Sequence, residues 1–137
     1  MTQRFFIPGP LPGLNDLLDA KGSGFGKGNA YARLKKEWTE KIGWALKAAK
    51  LKPVGPAEIH FEWLEKNKRR DPDNSSSGGR KLILDALVTH GILEGDGWAH
   101  VIGFSDDFLV ADKGSMPGVW VTISGDLAAD SRPSPLR

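Results

Sequence analysis

The chain contains no cysteine, so disulfides and thiolate metal sites are excluded and a reducing compartment is compatible with it. No apolar run approaches the roughly 20 residues that a membrane-spanning helix needs. Residues 1–8 hold only a short apolar patch with no cleavage pattern, so no secretory leader is expected and the expected setting is cytoplasmic. The three histidines, His60, His90 and His100, fall on or near different expected elements and form no zinc spacing. The glycine-rich run from Lys21 to Gly28 matches neither G-x-G-x-x-G nor G-x-x-x-x-G-K-[ST], and no strong strand leads into it. It is expected to be a mobile basic flap.

What remains is the composition of an ordinary globular protein, with 39% hydrophobic and 26% charged residues. At 137 residues the chain is long enough for one core and too short for two full domains. A single domain is expected over residues 1–126, with a flexible tail over 127–137. The net charge of +2 is unevenly distributed. Residues 21–81 carry 15 Lys/Arg against 7 Asp/Glu, whereas residues 82–137 carry 3 against 8. The basic part is where an anionic partner should sit, although a solvated lysine face on a long helix accounts for part of the excess.

Hydrophobic periodicity predicts about four short strands and two main helices. Strands are expected near Arg4–Ile7, Ala57–Glu65, Ala99–Phe104 and Gly118–Ser124. Tyr31, Leu34, Trp38, Ile42, Ala45 and Ala49 recur at helical spacing and predict a first helix over about Ala30–Lys50. A second, largely buried helix is expected over Arg80–His90, closed by Gly91. Residues 9–29 read as a long loop and Ser75–Gly79 as a flexible break.

The stretch Lys68-Arg69-Arg70-Asp71-Pro72-Asp73-Asn74 carries the most chemistry. If it is extended, the side chains of Asp71 and Asp73 leave on the same face. Two carboxylates in one small volume need a cation, and two hard oxygen ligands suit Mg²⁺. The neighbouring basic run suits a polyanion, so metal plus phosphate is the first hypothesis. Asp96, between Gly95 and Gly97, is the best third carboxylate, although the same tripeptide also reads as turn chemistry. Lys81 could stabilise charge developing on a phosphate, or simply pair with Asp85 one turn on. A calcium loop starting at Asp71 fails, because Ser76 and Leu82 stand where Gly and Glu are required. No nucleophile-elbow pattern supports a serine triad built on Ser75–Ser77.

These segments resemble the RusA family of Holliday junction resolvases. The resemblance rests on Arg69-Arg70-Asp71-Pro72-Asp73-Asn74, on Lys81 through Leu87, and on Gly91-Ile92-Leu93-Glu94-Gly95-Asp96 with Val101 downstream. Weaker echoes are the Pro-rich opening from Ile7 to Leu14 followed by Asn15, and the aromatic-containing first helix. Together they span most of residues 4–124. The resemblance implies an α+β fold, a small mixed sheet of about four strands packed against two main helices. It also implies a homodimeric Mg²⁺-dependent endodeoxyribonuclease (Mn²⁺ being possible) that cuts opposed strands of a four-way DNA junction. In a bacterial or phage-infected cell such an enzyme serves recombination and repair. By the same resemblance, Asp71, Asp73 and Asp96 match the metal-binding catalytic aspartates and Lys81 the catalytic lysine. The chain departs from the family pattern in two places: it is longer between Asn74 and Lys81, and Gly95 stands where many members have a further Asp. Candidate DNA contacts are Lys68, Arg69, Arg70 and Arg80, then Lys21, Lys27, Lys35 and Lys36. Two other readings fit the same residues: a branched-DNA-binding protein of this fold with impaired catalysis, and a metal-dependent phosphohydrolase of small phosphate esters. Trp44 falls off the apolar stripe of the first helix and is a candidate interface aromatic.

Overall fold

The computed structural model describes residues 1–21 and 27–128, with backbone alone for 27–29. The expected glycine-rich flap, the side chain of Lys27 and nearly all of the expected tail lie outside the described residues. The elements run β1 (Thr2–Pro8), α1 (Leu14–Lys21), α2 (Lys27–Ala48), β2 (Val54–Glu65), α3 (Pro72–Thr89), β3 (Val101–Val110) and β4 (Gly118–Leu127). The strands form one mixed sheet in the order β1-β4-β2-β3. β4 is antiparallel to both β1 and β2, while β3 runs parallel to β2 at the margin. That parallel pair needs a long crossover, which α3 supplies.

Period-two alternation builds the core. Phe5 and Ile7 of β1, Ile59, Phe61 and Trp63 of β2, and Val119, Val121 and Ile123 of β4 are all buried. Phe5 and Phe61 both oppose Val121 in the register, so these side chains share one face of the sheet. The helices cover that face with Trp38, Ile42 and Leu46 of α2 and with Leu82, Ile83, Ala86 and Leu87 of α3. Each buried Val, Leu, Ile or Phe among them contributes roughly 1.5–3 kcal/mol by leaving water. Trp44 is 72% exposed, as its place off the α2 stripe predicts.

α3 differs from its sequence reading in ways that matter for the site. The expected break at Ser75–Gly79 is the second turn of a continuous helix, and Ser75, Ser76, Gly78 and Gly79 are buried. The helix therefore starts at Pro72, eight positions before the expected Arg80. The reason is close packing. A Cβ on Gly78 would lie 2.5 Å from the Gly13 carbonyl carbon, and one on Gly79 would lie 2.6 Å from the Trp63 indole. These glycines let the chain entering α1 and the β2 tryptophan approach the helix backbone. The expected extended run through Asp73 is also corrected. Asp71 is the extended N-cap residue, Pro72 occupies the first turn, and Asp73 lies inside the helix. Asp-Pro-Asp is a helix start: proline is pre-organised there and acidic groups complement the positive end of the dipole.

Gly91 closes α3 as expected. Its φ is +76°, Ile92 N–H donates to the Leu87 carbonyl and Gly91 N–H to that of Val88, the paired bonds of a Schellman stop. The expected loop over 9–29 contains α1, so three helices rather than two accompany the sheet. β2 begins at Val54 despite Pro56, because a register irregularity between Val54 and Ala57 accommodates the proline. β3 runs on to Val110, well beyond the expected Phe104, and β4 reaches one residue past the expected domain end.

Candidate functional site

The residues around Asp71 divide into an internal clamp and an exposed rim. Glu65, the last residue of β2, accepts Arg70 Nε at 2.9 Å on one carboxylate oxygen and a terminal guanidinium nitrogen at 3.1 Å on the other. Ser75 Oγ donates to the same carboxylate at 2.6 Å. The remaining terminal nitrogen of Arg70 donates to the Leu11 carbonyl at 2.9 Å. This bidentate geometry is the strong form of an ion pair, and it ties the end of β2, the start of α3 and the loop before α1 together. Asn74 adds a second tie, its side-chain oxygen accepting Asn15 N–H at 2.9 Å. Arg70 and Asn74, both within the motif, thus brace the fold.

Arg80 is likewise engaged internally. It donates to Asp106 of β3 at 2.5 Å, and its guanidinium lies 5.4 Å from the Phe61 ring centre and 5.2 Å from that of Phe104. The other oxygen of Asp106 accepts Trp63 Nε1–H at 2.8 Å. The Nε of Arg80 is buried without a partner among the described residues. Arg70 and Arg80, expected to meet a phosphate backbone, are therefore committed to Glu65 and Asp106. Lys68, Arg69 and Lys81 are exposed, and none forms an ion pair among the described residues. The other expected contacts are mixed. Lys36 is exposed, Lys35 reaches Asp85 at 3.5 Å, and the Lys21 ammonium sits 4.6 Å from the Tyr31 ring centre.

Two hollows flank α3. One of about 460 Å³ lies at its N-terminus, lined by Lys68, Arg70, Asp71 and Pro72 on one side and by Phe108, Leu109 and Val110 on the other. The second, about 240 Å³, runs along the helix between Ser77, Arg80, Lys81, Leu84 and Asp85, and Asp96 closes it from the following loop. Asp73 joins this side by accepting Ser77 Oγ–H at 3.1 Å. Asp73, Ser77, Lys81 and Asp85 recur every four positions, so they form one slowly winding stripe on the helix. Lys81 lies eight residues after Asp73, roughly 12 Å further along the axis at 1.5 Å per residue. Asp71 stands at the head of the helix beside the first hollow.

The structure thus brings Asp96 to Lys81 and the middle of α3, and leaves Asp71 and Asp73 at its start. Among the described residues, no three His, Asp or Glu side chains form a ready metal-binding group. Asp85 was the alternative partner considered for Lys81; it pairs with Lys35 of α2 and shares the hollow with Lys81 and Asp96. Its i,i+4 spacing from Lys81 was visible in the sequence, but its neighbour from α2 was not. The Glu65–Arg70–Ser75 clamp had no sequence signal beyond a buried strand ending in an acid. No family model matches this chain, and no curated protein matches it.

Proposed function

We propose that the chain is a Mg²⁺-dependent, structure-specific endodeoxyribonuclease of the RusA type, acting as a homodimer on four-way DNA junctions. The observation that carries this reading is the acidic and basic stripe of α3. Asp73, Ser77 and Lys81 follow one another along the helix, and Asp96 faces Lys81 across a solvent-open hollow. Exposed Lys68 and Arg69 lie just before the helix start.

The donor chemistry suits the ion, since carboxylate oxygens are what Mg²⁺ takes from proteins. Of the three carboxylates expected to hold it, Asp73 adjoins through Ser77 the hollow that Asp96 closes, and these two are the pair that would share the ion, whereas Asp71 borders the other hollow at the helix start. A bound divalent ion supplies an acidified water and positive charge next to a phosphodiester. The chain's own contribution is separate from the ion. Lys81 places an ammonium where a phosphate entering the hollow would gather charge. Lys68 and Arg69 would hold the sugar–phosphate backbone without reading sequence. Continuity of α3 through Ser75–Gly79 fixes the stretch that lengthens the motif, so the spacing from Asp73 to Lys81 is set by helix geometry.

The test is a labelled four-way junction incubated with Mg²⁺, wild type beside Asp73→Asn. Symmetric nicks that disappear in the variant are expected. Identical products from both proteins, or release of phosphate from a small ester without junction cleavage, would sink the reading.

A further inference from the structure

Trp98 is the most exposed large apolar side chain among the described residues, at 102%. Its indole has no aromatic or cation–π neighbour among them. The other tryptophans differ. Trp38 and Trp63 are buried in the core, Trp120 meets Phe6 and Arg4, and Trp44 has the Lys47 ammonium 5.7 Å from its ring. A surface tryptophan taken singly signifies little. The setting of this one is what gives it meaning.

The backbone that carries Trp98 is fixed on both sides. Before it, Leu93 is buried and its N–H donates to the Leu87 carbonyl at 3.2 Å. A Cβ on Gly95 would lie 2.7 Å from the His100 ring, so the loop folds closely on itself. After it, the Gly97 carbonyl accepts both His100 N–H and Val101 N–H at 3.0 Å. The His100 carbonyl in turn accepts Ala57 N–H of β2 at 3.0 Å. Trp98 is thus held in a tight turn that is hydrogen-bonded into the sheet. Asp96, two residues earlier, closes the hollow that Lys81 lines. Two residues span at most roughly 7 Å of chain, so Trp98 stands at the lip of that hollow.

We propose that Trp98 stacks on the exposed face of a base at the branch point of a DNA junction and so sets a preference for branched over continuous DNA. Two features select a base as the occupant. A base is flat and attached to a phosphate, so one short stretch of strand can meet both an indole and the nearby Lys81 ammonium. In continuous duplex each internal base is covered above and below by its neighbours, whereas strand exchange at a branch point uncovers base faces. The fixed turn strengthens the contact, because an indole has only two side-chain torsions and little remains to be ordered on binding. The inference rests on the branched-DNA partner proposed above and does not depend on whether the chain cuts that DNA.

The test is the affinity of the intact chain for a four-way junction and for a continuous duplex of the same arm sequences, with no Mg²⁺ added. Trp98→Ala should weaken junction binding roughly 5- to 150-fold, the range for loss of one base–aromatic stack. Duplex binding, which phosphate contacts supply, should be unchanged. Trp98→Phe keeps a flat ring and should recover most of the loss, whereas Trp98→Leu, apolar but not flat, should not. Because the side chain is fully exposed, each variant should unfold at the wild-type temperature. Unchanged junction affinity in Trp98→Ala, equal losses on junction and duplex, or full recovery with leucine would each overturn the proposal and leave the nuclease reading standing. A wild type that does not prefer junction to duplex would overturn both. A Trp98-dependent preference without cleavage in Mg²⁺ would uphold the stacking role and refute the nuclease reading alone.

Discussion

Gly78→Ala should reverse the usual sign of a helical glycine substitution. In an ordinary helix interior, alanine in place of glycine gains roughly 0.5–1 kcal/mol, because the unfolded chain loses freedom and the helix loses none. At Gly78 the new methyl would lie 2.5 Å from the Gly13 carbonyl carbon, 2.7 Å from Leu14 N and 2.8 Å from Gly13 O. All three are backbone atoms, so no side chain can swing aside. Relief requires the chain entering α1 to retreat from α3. That retreat strains the Asn15 N–H bond to Asn74 at 2.9 Å and the Arg70 bond to the Leu11 carbonyl at 2.9 Å. Overpacking of this kind costs about 1–3 kcal/mol, and each weakened hydrogen bond adds roughly 1 kcal/mol. Against a gain of under about 1 kcal/mol, the net is a loss of about 2 kcal/mol. For a domain of this size that corresponds to a fall in Tm of roughly 5–12 °C. Thermal and urea unfolding would read it, with Gly97→Ala, whose Cβ meets nothing within 4 Å, as the control. A Gly78→Ala protein as stable as wild type, or more stable, would refute the close packing of α3 on the α1 entry.

Arg70→Gln should lower stability by roughly 2 kcal/mol in urea unfolding, because Glu65 would be left half-buried without its bidentate partner. Lys81→Ala, exposed and without an ion pair among the described residues, should change stability by less than about 0.5 kcal/mol, yet lower junction cleavage by about 10²-fold or more under single-turnover conditions. Lys68→Ala and Arg69→Ala should each reduce the slope of log affinity for a four-way junction against log salt by about 1. Arg80→Ala should leave that slope unchanged while destabilising the fold, since its charge is held by Asp106.

The parts of the fold legible in the sequence were those set by local periodicity. The alternation of Ile59, Phe61 and Trp63, the helical recurrence of Trp38 and Ile42, and the stop at Gly91 all correspond to elements of the structure. Ser75–Gly79 was misread because Ser and Gly are poor helix formers in isolation. What makes them helical is the backbone of Gly13 and the indole of Trp63, both distant in sequence. The start of α3 was legible after all, in Asp71-Pro72, but a metal-binding reading of the same aspartates competed with it. The true extent of β3 was hidden because a marginal strand with apolar residues on both faces lacks clean alternation. For the site, Asp96 was expected beside Asp71 and Asp73; it shares a hollow with Lys81, while those two stand at the start of α3. The internal roles of Arg70 and Arg80 could not be read locally, because Leu11 and Asp106, which hold them, arrive from other elements.

The most direct measurement is single-turnover cleavage of a four-way junction in Mg²⁺ by Asp73→Asn, Asp96→Asn and the double variant, each shown to be folded. If the two aspartates serve one site, each single change should lower the rate at least about 10²-fold, and the double change should be little worse than either, since residues acting as a unit are not additive. Wild-type rates in either single variant, or losses that multiply in the double, would contradict a shared site spanning α3 and the Asp96 loop.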